Sequence, residues 1–317
     1  MSLTHVSCSR RFFGIVTTAA LLWVTPFVAA EEKLSEPVYR VANETPAVAA
    51  PVAGQPAASA GDSAATPAAP AATNAAKVVF DLTPKPGEHA LAPVLRTLKA
   101  TQDEIDHNVH DYACTFFKQE RVDGELGEQQ QMLMKVRHEP FSVYMSFLTP
   151  FAGREVLYVD GQNSGKMVVL DAGFKRMLGK MNIDPQGALA MSGQRRPITD
   201  VGIRNLTIKL TKMWEKESQF AECDVTTQPG SKLGGRSATM IQVVHPVPRQ
   251  DFKFYAARLF LDNELKIPIH FDAYTWPEQA GGNPPLDESF TYSNLKLNNG
   301  YTAREFDAVN NAEIFKK

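Results

Sequence analysis

The chain encodes an α+β domain built on one antiparallel sheet, and three features of the sequence predict it. Residues 258–274 read as two alternating apolar runs around a polar Asp262-Asn263-Glu264 turn. Alternation puts successive side chains on opposite faces of a strand, so the segment is a half-buried hairpin. Residues 290–298 form another alternating run, leading into Gly300 and Phe306-Asp307. The turns between the apolar runs are too short for the crossovers that parallel neighbours need, which makes the strands an antiparallel meander.

The chain opens with the grammar of an export leader over residues 1–30. Arg10 and Arg11 form a positive region, Phe12 to Val28 an apolar one broken by Pro26, and Val28-Ala29-Ala30 a small-residue cleavage motif before Glu31. The alternative is a retained anchor, which Pro26 and the cleavage motif argue against; once the leader is removed no permanent transmembrane span is expected. Ser9-Arg10-Arg11-Phe12-Phe13 also partly matches a twin-arginine signal, although Gly14 stands where that pattern prefers a large apolar residue. Both the general secretory and the twin-arginine routes stay open, and the expected location is the periplasm or cell envelope. Cys8 precedes the apolar region, whereas a lipid-attachment cysteine would follow it. Residues 31–77 are rich in Ala and Pro and almost free of large apolar side chains. Such a stretch buries too little surface to offset ordering entropy and is expected to be a disordered tether, stiffened by Pro51, Pro56, Pro67 and Pro70. The folded domain is expected over residues 78–317.

That domain begins with a helix, because Leu91, Val94, Leu95, Leu98, Ile105 and Val109 form one apolar stripe at helical spacing. Pro93 suits an early position, where its missing N–H costs little. Strands are expected over 112–121, 130–138, 141–148, 155–160 and 167–171, punctuated by Asp123-Gly124, Pro140, Thr149-Pro150 and Gly161-Gln162-Asn163. Residues 184–197 are turn-rich, with a short apolar patch at Ala188, Leu189 and Met191. Thr199 or Asp200 stands where it could cap a helix carrying Ile203, Leu206, Leu210 and Met213. Strands resume over 222–227, 239–245 and 252–262.

Two ordered sets of motifs resemble periplasmic lipoprotein carriers of the LolA, LolB and RseB type. In the C-terminal half they are Leu261-Asp262-Asn263-Glu264-Leu265-Lys266-Ile267-Pro268, then Asn294-Leu295-Lys296-Leu297-Asn298, then Phe306-Asp307. In the N-terminal half they are a first strand from Tyr112 ending in Lys118-Gln119, the corner His138-Glu139-Pro140-Phe141, and the hairpin Tyr158-Val159-Asp160-Gly161. The chain most resembles a family of secreted proteins of unknown function of planctomycete type that shares this architecture. The resemblance implies a strongly curved sheet, an incomplete β-barrel with helices covering its concave side, in which the helix after residue 200 acts as a lid. It implies a non-enzymatic role: sheltering a lipid or the acyl chains of a lipoprotein in the concave face. The RseB-type relatives imply instead an interaction or sensor module that recognises an envelope protein with the same sheet.

The residues themselves offer little catalytic chemistry. The formal charge is -2, and no basic cluster with interleaved aromatics appears, so nucleic acid is not an expected partner. His107, His110 and Asp111 have ligand-like spacing but too few companions for a metal site, and read as a polar helix terminus. Neither a metal nor a cofactor is expected. Residues 161–166 look briefly like a phosphate loop, yet they join two strands and run into Met167, which makes them a hairpin turn. No nucleophile elbow or zinc-binding helix pattern is present, and no catalytic residue is assigned. Glu155 reads as half of an ion pair with Arg154 or a cross-strand cation. Cys114 and Cys223 either pair, closing a long loop that would stabilise the fold by roughly 4 to 5 kcal/mol, or stay buried free thiols. Methionine is more suggestive, since its flexible thioether suits an adaptable apolar surface as well as an ordinary core. The candidate cavity residues are Met132, Met134, Met145, Met167, Met191 and Met213, with Leu206 and Leu210 facing them from the helix.

Overall fold

A computed structural model describes residues 80–220, 223–279, 281–311 and 313–315. The expected leader and tether, residues 1–30 and 31–77, lie outside the described residues. Helix α1 spans Ala92–Asn108 with Pro93 in its first turn, as the stripe predicts. Leu91, Val94, Leu98 and Ile105 are fully buried, each burial worth roughly 1.5 to 3 kcal/mol.

The strands are β1 (Asp111–Val122), β2 (Glu125–Leu126), β3 (Gln130–Arg137), β4 (Ser142–Thr149), β5 (Glu155–Val159), β6 (Met167–Leu170) and β7 (Met181–Ile183) in the first half. After helices α2 (Ala188–Met191) and α3 (Ile203–Glu217) come β8 (Asp224–Leu233), β9 (Arg236–Val244), β10 (Ala256–Asp262), β11 (Pro268–Tyr274) and β12 (Leu286–Leu297). All neighbours pair antiparallel, in the order β7-β6-β5-β4-β3-β1-β12-β11-β10-β9-β8, with β2 turning back on β1. The order ends at β7 and β8 without closing, so the sheet is an incomplete barrel. One continuous core draws on β1, β3, β4 and β9 to β12 together with α1 and α3. A sheet whose separate strands all reach the same two helices must be strongly curved around them.

The period-2 pattern holds where it was legible. On β3, Met132, Met134 and Val136 are buried while Leu133 is exposed. The 258–274 hairpin forms with Leu259 opposite Phe271, and its turn is built by Asp262, which accepts the N–H groups of Glu264 and Leu265, both at 2.8 Å. Residues 161–166 form the expected turn between β5 and β6. The hairpin β8–β9 is longer than residues 222–227 and 239–245 suggested. Its outer part is solvent-exposed and carries a register shift between Gln228 and Ser231, so it lacks the apolar alternation that marks a half-buried strand. Strand β10 starts at Ala256 and not at residue 252, since Phe252 and Phe254 are buried in the preceding loop.

Helix α3 is not capped by Thr199 or Asp200. Asp200 closes a single 3-10 turn, Ile198–Asp200, and pairs with Lys209. The N-cap is Gly202, with φ 113°, and the hydroxyl of buried Tyr112 accepts the Ile203 N–H at 3.0 Å. A β-carbon on Gly202 would stand 3.0 Å from that hydroxyl, so both backbone angle and space call for glycine here. On the convex face, the described residues after β12 cover β4 to β6: Phe306, Ile314 and Phe315 pack on Tyr144, Leu157 and Leu170.

Candidate functional site

A cavity of about 420 Å³ lies between the β3–β7 end of the sheet and the turn-rich insertion of residues 184–200, which carries α2. Its floor exists because inward-facing positions of adjacent short strands are mostly apolar: Met132 from β3, Met145 from β4, Val156 from β5, and Met167 and Val169 from β6. Leu189, Ala190 and Ile198 of the insertion form the cover, and Ala190 and Ile198 pack on Val156, Tyr158, Met167 and Val169.

The eight candidate residues separate into four places. Met132, Met145 and Met167 line the cavity, joined by Met181 from β7. Met134 is buried in the main core, opposite Cys114 on β1, and Met191 is half-buried on α2 beside two lining residues without being one. Leu206, Leu210 and Met213 border a separate space of about 270 Å³ under α3, together with Phe254 and Phe271. Helix α3 directs its stripe at α1 and the sheet, with Leu206 and Leu210 in the main core. The cover over the methionine-lined floor is thus the insertion, and α3 is a core helix.

Charge is concentrated where the cavity meets the core. Arg196 borders the large cavity, the space under α3 and a small gap of about 30 Å³ between them. It pairs with Glu288 of β12 at 2.6 Å and lies over the Phe290 ring at 5.4 Å. Glu288 is 0% exposed. Beside it, Arg195 pairs with Asp287 at 2.5 Å, its N–H is donated to Glu120 at 3.1 Å, and Lys118 meets Glu120 at 3.1 Å. These bonds pin the end of the insertion to β1 and β12. None was expected from the sequence. The available signal was Arg195-Arg196 in a proline-flanked loop and Asp287-Glu288 inside an otherwise buried strand, with nothing to pair them.

At the other end Arg154 pairs with Asp171 at 2.9 Å and covers the Phe151 ring at 4.1 Å. Burial pushes the Asp171 carboxyl up, but the Ala172 N–H at 2.8 Å and Arg154 outweigh it and hold it below the usual carboxylate range. Arg154 is therefore not the partner of Glu155. The Glu155 carboxylate instead accepts from the Tyr144 hydroxyl at 2.7 Å and from the Phe315 N–H, with Arg176 at 3.5 Å.

Cys114 and Cys223 are both buried free thiols. Cys223 precedes β8, which is separated from β1 and Cys114 by four strands in the sheet order, so the disulfide alternative does not form. Burial pushes the Cys223 thiol up to about 12, leaving it protonated and unreactive. His107 bonds the Asp103 carbonyl, whereas Asp111 accepts the N–H groups of Asn299, Gly300 and Tyr301, a structural clasp on the chain after β12. Among the described residues no group of three or more His, Cys, Asp or Glu side chains is placed to hold a metal ion. Among them, too, no helix is long and apolar enough to cross a membrane.

Among curated proteins none matches the sequence. Solved structures that resemble it include the Mycobacterium tuberculosis lipoprotein LppX, at 14% identity over 68% of this chain and 100% of that one, with a TM-score of 0.38. A LolA superfamily protein from Nitrosomonas europaea follows at 8% identity, 67% and 97% coverage and a TM-score of 0.27. MucB, solved in complex with MucA, shares 16% identity over 68% of this chain and 59% of its own, with a TM-score of 0.38. The family model described as a protein of unknown function, DUF1571, matches residues 109–315. That span holds every strand of the sheet and the whole lining of the cavity, and the chain belongs to the DUF1571 family.

Proposed function

We propose that this domain is a non-catalytic binding module that takes a lipid, or the acyl chain of a lipoprotein, into the cavity beneath the insertion. The observation that carries the reading is the cavity itself. At about 420 Å³ it falls within the size range of small-ligand sites, and its walls have the usual make-up of apolar side chains with a few placed charges. Four flexible methionines, Met132, Met145, Met167 and Met181, suit chains of varied length and unsaturation. The export leader read in residues 1–30 supports placing this binding in the cell envelope.

Solvent extraction of the purified protein followed by lipid mass spectrometry tests the reading. Co-purifying lipid in the native protein, depleted in an Ala190→Trp variant that fills the cavity from its cover, is the expected result. A native protein that yields no lipid and binds no lipophilic fluorescent probe would overturn it. The interaction module that recognises an envelope protein would then be the reading to pursue.

A further inference from the structure

We infer that the mouth of the cavity is a docking surface for a lipid bilayer that carries anionic head groups. The most exposed large apolar side chains around the cavity are concentrated in two neighbouring segments. Phe174 is 84%, Met177 80% and Leu178 70% exposed on the single 3-10 segment between β6 and β7, and Leu189 is 70% exposed on α2. Isolated exposed apolar residues are ordinary, but a cluster of this kind marks an interaction site. Lys175 from the first segment and Leu189 from the second both line the cavity mouth, so the two segments flank one opening. Phe151, 37% exposed in the β4–β5 turn, stands at the same opening.

The charge of this segment selects a bilayer over another protein. Across residues 172–183 the sequence holds three cations, Lys175, Arg176 and Lys180, and no acid. Large apolar side chains interleaved with basic ones match the boundary between acyl chains and an anionic surface, which attracts basic residues held near it. The segment is also held in place as it faces outward. The Arg176 guanidinium donates to the Gly153 carbonyl at 2.6 Å, and Lys180 donates to the Ala308 carbonyl at 2.6 Å and lies over the Phe315 ring. A tip fixed at both ends inserts its apolar side chains without first losing much chain entropy. Docking here is separable from filling the cavity, because Phe174, Met177 and Leu178 are not part of its lining.

The test uses the full chain with Cys8→Ser, a polarity-sensitive dye attached at Phe174→Cys, and phosphatidylcholine vesicles with or without phosphatidylglycerol. A blue shift with the anionic vesicles, reversed by salt and absent when the dye sits at Lys232→Cys on the far edge strand β8, is the expected result. Because the signal comes from position 174 itself, membrane binding through the apolar leader does not imitate it. In parallel, Phe174→Ser/Met177→Ser/Leu178→Ser should lower partitioning into anionic vesicles at least tenfold in a leader-free sample that keeps the native melting temperature. No shift at position 174, or undiminished partitioning of the triple variant, would overturn the inference. So would a wild type that self-associates and becomes monomeric in the triple variant, since the face would then be covered by a second copy.

Discussion

The hydroxyl of Tyr112 accepts the backbone N–H of Ile203 at 3.0 Å, joining the first long strand to the N-terminus of α3. Burial first of all pushes the Tyr112 phenol well above its ordinary value, so the group is neutral and available to hydrogen-bond at any pH the fold survives. Tyr112→Phe strands a buried N–H and should cost about 1 to 3 kcal/mol in urea unfolding. Gly202→Ala should cost at least about 1 kcal/mol, because its β-carbon meets the same hydroxyl at a positive φ. Part of that cost should vanish in the Tyr112→Phe background. Strict additivity of the two would show that the close approach is not felt.

Arg196 pairs with the buried Glu288 carboxylate at 2.6 Å, and among the described residues the second oxygen of that carboxylate has no hydrogen-bond partner. Arg196→Met should therefore destabilise the domain by up to about 3 to 5 kcal/mol, the usual range for removing one partner of a buried ion pair. Arg196→Met/Glu288→Met should recover most of it. Chemical denaturation of the three proteins measures the coupling directly.

Glu217 sets a pH dependence. Burial raises its carboxyl to about 7, against an ordinary value of 4.5, with His245 at 3.5 Å and itself lowered by burial. A folded pKa above the unfolded one favours the folded state fully below pH 4.5, and the benefit is lost as pH rises through about 7. The loss amounts to roughly 3 kcal/mol by pH 8. Glu217→Gln should then melt higher than the native protein at pH 8 and about equally at pH 4. His245, lowered by burial, is neutral at pH 8 in both proteins, so the comparison at that pH reads the carboxylate. An identical pH profile for the two would contradict the assignment.

Leu206 and Ala190 separate packing from binding. Leu206→Glu places a charge in the main core beside α1 and should unfold the domain, because Leu206 is only 5% exposed. Ala190→Trp, on the half-buried cover, should leave the melting temperature nearly unchanged and weaken binding of a lipophilic probe about tenfold. Thermal melts and probe titrations on both variants check this.

Most of the sheet was legible because burial on one face imposes alternation, as on β3, where Met132, Met134 and Val136 alternate with exposed or partly exposed neighbours. Helix α1 was legible for the same reason at a different period. The site was only half legible. Met132, Met145 and Met167 could be placed on inward faces, but which helix covered them depended on how α3 spends its apolar stripe, and Leu206 and Leu210 serve the core equally well by pattern. The insertion hid its role because α2 is a single turn and its anchors are ion pairs 92 residues apart, between Arg196 and Glu288. Charges in a loop carry no record of their partner. The N-cap of α3 was missed because its acceptor comes from Tyr112, 91 residues earlier.

The pairing of β1 with β12 has a consequence for how the molecule is made. Tyr112 lies opposite Leu297 and Glu120 opposite Glu288, so the middle seam of the sheet joins its earliest long strand to its latest. During synthesis, β1 must wait for nearly the entire domain to follow before that side is covered. Until then it is an open edge bearing Phe116 and Phe117, the kind of edge that recruits foreign strands. Closing a seam between such distant residues is intrinsically slow. The unfinished chain is thus most vulnerable to aggregation along the line that becomes, once closed, the centre of the finished sheet.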